Sequence, residues 1–191
     1  MALRRSAALA LCATSVIAGC GSGSGARHAP TGGGQSVAAL VCGGAGRAAS
    51  GALALSPHVR VADADPANIE CLISVRGVTA DVIAQASAVA WTEYDTTYVH
   101  LAQAFGNSLH NPAQLPHPVP NMSGNATWVP AQDELIATNA TQSSGGSYVT
   151  VTVSGPRRLP RSSSAVELAA AVAKATLATA PRGGSPGPPP S

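Results

Sequence analysis

The stretch "NIECLISVRGVTADVIAQAS", residues 68–87, decides the fold. Two apolar runs meet at Arg76-Gly77. Each run carries β-branched residues, and the second alternates, with Val78, Ala80, Val82, Ala84 and Ala86 falling on one side. Two such runs around a two-residue link containing glycine predict a β-hairpin.

Three more strands lie downstream. "SYVTVTVSG" (147–155) is the cleanest, with Tyr148, Thr150, Thr152 and Ser154 on one face and Val149, Val151 and Val153 on the other. "ATWVP" (126–130) and "ELIATN" (134–139) precede it, and "SSGG" (143–146) turns the chain into it. "NPAQLPHPVP" (111–120) holds four prolines, so it forms neither a helix nor a central strand. It is expected to run over the surface as an extended connection.

Helices frame the strands. "VCGGAGRAASGALAL" (41–55) is small and glycine-interrupted, and predicts a short, poorly specified helix. In "WTEYDTTYVHLAQAFGNS" (91–108), Trp91, Tyr94, Tyr98, Leu101 and Phe105 recur at steps of three and four. They share one helical face, and Gly106-Asn107 supply the stop. The chain has two Trp, three Tyr and one Phe, so burial is expected to concentrate on this stripe. Trp91 and Tyr94 are expected to keep a polar edge at the surface. "SAVELAAAVAKATLATA" (164–180) predicts a strong helix. Ser164 and Glu167 form its capping box, and Val166, Ala169, Ala170, Ala173 and Leu177 its apolar face. The order is helix, hairpin, helix, three strands, helix. It predicts an α+β fold, an antiparallel sheet of about five strands with helices packed on it.

The first nineteen residues differ in kind. Arg4 and Arg5 precede the fourteen uncharged residues "SAALALCATSVIAG". That is the build of a secretory signal, and it is shorter than the roughly 20 residues of a membrane span. The exit Ile17-Ala18-Gly19-Cys20 resembles the lipobox of bacterial lipoproteins. The resemblance implies that Cys20 becomes the first mature residue and carries a diacylglycerol thioether, with two acyl chains sufficing for a stable anchor. Cys12 leaves with the signal. The Gly/Ser-rich segment 20–37 reads as a flexible tether with a reach of roughly 20–25 Å. A single domain is expected over 38–181, and a disordered Pro/Gly-rich tail over 182–191.

Processing resets the charge. The chain has eleven Lys+Arg and nine Asp+Glu. Losing Arg4 and Arg5 leaves nine against nine, and removing 19 of the 191 residues leaves 172. A balanced chain argues against nucleic acid as a partner, which needs a basic patch. Two cysteines remain in the domain, Cys42 and Cys71. In an exported, oxidising setting they are expected to pair, stabilising the fold by roughly 3–4 kcal/mol. A metal or redox pair is the alternative, but the 29-residue spacing does not suit CxxC chemistry and no histidine sits at a ligand-like offset.

At this point the chain resembles a recurring type of small actinobacterial cell-envelope lipoprotein. The likeness rests on a cysteine in the first mature helix pairing with one in the first strand. It rests also on "AWTEY" opening a helix, on "VPNMSGNATWVPAQDELIATN", on "GGSYVTVTVSG" and on the alanine-rich last helix. It covers roughly residues 38–181. The resemblance implies an exported domain tethered to the cell membrane, on its extracytoplasmic face, and brings no catalytic residues with it.

Motifs for chemistry are sparse. HExxH, a P-loop and a strand-borne GxGxxG are absent from the sequence, and no G-x-S-x-G falls in a strand–helix elbow. Of the five histidines, His28 lies in the tether and His58 in the domain, while His110 and His117 sit beside and within the proline-rich stretch with no carboxylate between them. His100 follows Thr96 by one helical turn and Glu93 by two, a spacing from which a Ser/Thr–His–acid site is conceivable. Asp133 and Glu134 are adjacent in a turn, where their side chains need not converge. No cofactor and no metal site are expected. Two functions remain: a tethered module that binds an envelope protein, a glycan or an apolar envelope molecule, and a hydrolase of envelope polymers built on His100 or on a site assembled from loops. A cleft lined by Val, Ala and Leu favours the lipid-like ligand, and convergence of His100 with a hydroxyl and a carboxylate favours the enzyme.

Overall fold

A computed structural model describes residues 36–106, 112–122, 124–160 and 162–184. The signal, Cys20, His28, the tether up to residue 35, His110 and the tail from 185 lie outside the described residues.

The hairpin forms as its sequence dictates. β2 (Asn68–Val75) and β3 (Val78–Ser87) pair antiparallel up to Val75 opposite Val78, with Arg76-Gly77 as the whole loop. Both loop residues have positive φ, 48° and 80°, the geometry that matches strand twist in two-residue hairpins. β1 (His58–Asp65) lies outside β2. On the other side, β7 (Gly146–Ser154) pairs with β3, followed by β6 (Glu134–Thr138), β5 (Asn125–Val129) and β4 (His117–Pro118). The sheet is antiparallel throughout, in the order β1-β2-β3-β7-β6-β5-β4.

Seven strands stand where about five were expected, and the α+β class holds. Both additions are edges. β1 is "HVRVADAD", exposed along nearly all its length, so it carries no buried alternation to read. β4 is two residues of the proline-rich segment, which tolerates pairing only on an edge. The same segment also holds a single 3₁₀ turn at Pro112–Gln114.

One face of the sheet makes the core. Cys71, Val82, Val151, Leu135 and Trp128 are successive partners across five strands, and Ile69, Ala84, Val149, Ala137 and Ala126 form the next row. All ten are buried, against α1 (Val37–Leu53) and α3 (Ala165–Thr179). The two helices run antiparallel: Ser163 Oγ donates to the Ala52 carbonyl at one end, and Thr179 lies beside Gly44 at the other. Cys42 in α1 is bonded to Cys71 in β2, with 5.4 Å between Cα atoms.

Several details differ from the sequence reading. α1 starts earlier than expected, because Ser36 caps it by accepting from the Ala39 N–H. The capping box of Ser164 and Glu167 is present. The buried face of α3 includes Leu168, Val172 and Thr176, while Val166 and Ala170 are only half-buried. The chain end departs from the expected disorder at 182–184. Gly183 N–H donates to the Gly146 carbonyl at 2.9 Å, and Ser147 Oγ donates to the Pro181 carbonyl at 2.8 Å. Asn139 joins the same corner, accepting from Ser147 N–H and donating to the Leu177 carbonyl.

The second face carries α2 (Ala90–Gly106), which packs on β7, β6 and β3. The aromatic stripe divides. Tyr94 is buried at 8% exposure, Trp91 is half-buried and Tyr98 is 36% exposed. The Phe105 side chain lies outside the described residues. Tyr94 keeps no polar edge in solvent, since its hydroxyl meets Thr127 Oγ1 at 2.8 Å. Among the described residues no helix is long and apolar enough to cross a membrane.

Candidate functional site

A concavity lies on this second face, between α2 and the strands β3 and β7. Its volume is about 440 Å³, and Gln85, Thr92, Glu93, Thr96, Thr97 and Tyr148 line it. Sheet register builds the floor: Gln85 and Tyr148 are direct partners across β3 and β7, so both side chains rise from one row. Helix period builds the wall, with Thr92, Thr96 and Thr97 on adjacent turns.

Glu93 is set at the join. β3 ends at Ser87, whose Oγ accepts from the Val89 N–H at 3.1 Å and donates to Glu93 Oε1 at 3.1 Å. That pair fixes the start of α2, where a carboxylate also suits the helix dipole. The other oxygen differs. Glu93 Oε2 is buried and has no hydrogen-bond partner. An acceptor in that position costs free energy until something donates to it.

Tyr148 is half-buried, and burial pushes its phenol above the ordinary range; the nearby Glu134 and Glu93 charges act in the same direction. It therefore stays a neutral O–H at physiological pH. Its hydroxyl lies 3.5 Å from Thr97 Oγ1, at the long limit of a hydrogen bond, and so is lightly committed. Gln85 Nε2 donates to Asn68 Oδ1 at 3.2 Å. Its amide oxygen remains free to accept from a ligand. Beyond the groove, Asp81 and Glu134 flank Thr152 on the same sheet face. Asp81 Oδ1 is buried without a partner, and burial raises the Glu134 carboxyl.

The residues singled out in the sequence fall elsewhere. His100 is exposed on α2 and is not part of the groove wall. Glu93, its prospective acid, is held by Ser87, so the structure does not assemble His100, Thr96 and Glu93 into one site. His117 sits exposed on β4, its Nδ1 3.2 Å from the Leu115 carbonyl. Asp133 takes φ 49° in the β5–β6 turn, which separates it from Glu134 at the head of β6. Among the described residues no group of three His, Cys, Asp or Glu side chains is placed to hold a metal. Cys42 and Cys71 meet as expected, whereas Cys20 lies outside the described residues.

A second, smaller concavity of about 170 Å³ lies at the hairpin tip, lined by Leu53, Leu55, Val75, Val78, Leu159 and Pro160 with Arg76 and Arg158. Arg158 packs flat on Gly77, its Cδ and Cζ 3.1 and 3.3 Å from where a Cβ would stand. Glycine is required there both for that approach and for its φ.

No protein-family model, curated protein or solved structure matches the chain. The site therefore rests on its own chemistry.

Proposed function

We propose that this protein is a membrane-anchored extracytoplasmic lipoprotein that serves as a binding module of the cell envelope, with the α2–β3–β7 groove as its binding site. The single observation that carries the binding half is the composition of that groove. Four hydroxyls, one amide and one carboxylate line it, with no histidine, cysteine or cation. The Gln85 amide oxygen and the Tyr148 hydroxyl are the groups it offers to a ligand that can hydrogen-bond. A hydrolase around His100 lacks its convergence, since His100 stands outside the groove.

The anchoring half is supported by the lipobox-like Ile17-Ala18-Gly19-Cys20 and by the Gly/Ser-rich segment that follows it. A neutral, lightly charged domain on such a leash stays near the membrane without resting in it.

Labelled palmitate tests the anchor. It should enter the wild-type chain, and Cys20→Ala should abolish incorporation and release the protein to the medium. Incorporation that survives the substitution would defeat the anchor. A photo-crosslinking residue at Thr96 tests the groove in cells. Capture of an envelope component supports the binding role, and the absence of any adduct there, with adducts formed from a control position at Lys174, defeats it.

A further inference from the structure

We infer that the concavity at the hairpin tip is a site for a short-chain anionic amphiphile, whose carboxylate or phosphate head meets Arg76 and Arg158 while its tail fills the apolar floor. This site is separate from the groove proposed above and does not rest on it.

Three elements wall the cavity. Leu53 and Leu55 come from the end of α1 and the residues after it, Val75 and Val78 from the hairpin, and Leu159 and Pro160 from the chain after β7. Leu53 and Val78 are buried and the other four are half-buried. The floor therefore belongs to the core, while the sides still hold apolar surface in water. The walls are seated on one another. Gly155 lies against the Gly77 carbonyl, where a Cβ would stand 2.6 Å from the oxygen, so the 3₁₀ turn Pro156–Arg158 rests on the hairpin loop. From that turn Arg158 lies over Gly77.

The charge is one-sided. Arg76 and Arg158 both line the cavity, both are exposed, and the residue under Arg158 is the immediate neighbour of Arg76. Arg157 precedes Arg158 in the same turn and is exposed as well. Among the described residues neither lining guanidinium has an ion pair or a hydrogen bond. Like charges gathered without a counter-charge repel, and an anion placed between them removes that cost. Guanidinium forks match the paired oxygens of a carboxylate or phosphate. Arginine stems lie along apolar surface with their heads in water, so meeting an anion at the rim takes only a turn of the head.

A ligand has to suit both halves. A small anion would leave the apolar walls in water. A neutral apolar molecule would leave the guanidiniums without a counter-charge, and a cation would be repelled by them. A molecule with an anionic head and an apolar tail matches rim and floor together. Its size is set by the cavity, whose volume is about 170 Å³. An apolar cavity of roughly 150 Å³ holds benzene, so about six tail carbons fill this one. Walls on three sides admit one chain end-on and do not fit a flat bilayer surface.

The test uses the full-length chain with Cys20→Ala, handled without detergent, so that no other acyl chain competes for the cavity. Amide chemical shifts follow titrations with butanoate, hexanoate, octanoate and decanoate, with octyl phosphate, and with 1-octanol and octylammonium as neutral and cationic comparisons. Octanoate and octyl phosphate should move the amides of Gly77, Val78 and Leu159. Affinity should rise about fourfold per added carbon from butanoate, then level off once about six tail carbons are in place. Octanol and octylammonium should bind more weakly than octanoate. Arg76→Gln and Arg158→Gln should each weaken octanoate about threefold, within the range of exposed charge pairs, and Lys174→Gln on α3 should change nothing. Octanol that binds as tightly as octanoate overturns the inference, and that comparison needs no variant to fold. An affinity that ignores tail length overturns it too, since the tip would then be a patch of charge alone. Phosphatidylglycerol vesicles and the peptide Ac-Gly-Gly-Leu, with its free carboxylate, stand for the other occupants. Shifts at the tip from either of these, with none from octanoate or octyl phosphate, overturn the site, as does the absence of any shift there. Crosslinks from Thr96 report on the α2 groove alone, so the two sites fail separately.

Discussion

The Tyr94 hydroxyl lies 2.8 Å from Thr127 Oγ1, both residues are buried, and the bond ties α2 to β5 through the far face of the sheet. The two groups satisfy each other. Removing one strands the other. Tyr94→Phe should therefore cost about 1–3 kcal/mol although the ring is kept, and Thr127→Val should cost a similar amount. The double variant should recover part of that loss, because no orphan remains. Urea unfolding of the four proteins gives the coupling; strictly additive losses would refute it.

The disulfide fastens α1 to the sheet across a 29-residue separation. α1 needs this. Gly43, Gly44, Gly46 and Gly51 interrupt it, and each interior glycine costs a helix about 1 kcal/mol relative to alanine. Replacing Cys42 and Cys71 together by alanine should lower stability by about 2–4 kcal/mol. An intact chain should weigh two hydrogens less than its reduced form. Two free thiols in the purified protein, or unchanged stability in the double variant, would contradict the role given to the bridge.

How far the sequence revealed this fold depends on the element. β2, β3 and β7 were legible because one face of each is buried along most of its length, so alternation is imposed on the residues. β1 was not. Its Val59 packs on α1 while His58, Arg60, Asp63 and Asp65 face solvent, and an edge strand needs no second apolar residue to hold its place. The stripe on α2 was half legible. Periodicity put Tyr94 and Tyr98 on one face, but a helix resting on a sheet buries only its central line, and Tyr98 falls at the margin. The groove was not legible at all. Gln85, Glu93 and Tyr148 come from three elements, and only the β3–β7 register brings the first beside the third. One signal was available: Tyr148 is the lone aromatic on the threonine face of β7, where nothing in the core explains it.

Gly46 sits where α1 crosses β1, and a Cβ there would run into Val59 Cγ2. Gly46→Ala brings two opposed terms. Helix propensity favours alanine by about 1 kcal/mol, and overpacking opposes it by about 1–3 kcal/mol. The net effect should be destabilising. Val59→Ala removes the obstructing methyls, since the Val59 Cβ itself would lie at an ordinary 3.6 Å. In that background the same Gly46→Ala change should stabilise by about 1 kcal/mol. Thermal unfolding of the four proteins reads the reversal of sign, and a loss in both backgrounds would show that the obstruction lies elsewhere.

Glu134 should make stability fall as pH rises. It heads β6 on the face shared with Thr152, with Asp81 on β3 beyond that threonine and Tyr148 further along β7. Burial raises its carboxyl above the ordinary value of about 4.3. The folded state therefore holds this proton more tightly than the unfolded state does. The stability so gained is complete below the unfolded value and is lost as pH climbs through the raised folded value. Above that value the charged group remains desolvated, with no cation among the described residues beside it to compensate. Glu134→Gln keeps the shape and removes the charge. Its melting temperature should match the wild type near pH 4, then exceed it by a margin that widens with pH and levels off once the wild-type carboxyl is fully ionised. Melting curves of both proteins at half-unit steps from pH 4 to 8 check this. A constant offset across that range would mean that Glu134 carries no burial penalty, and that the far face of the sheet is wetter at β6 than its packing indicates.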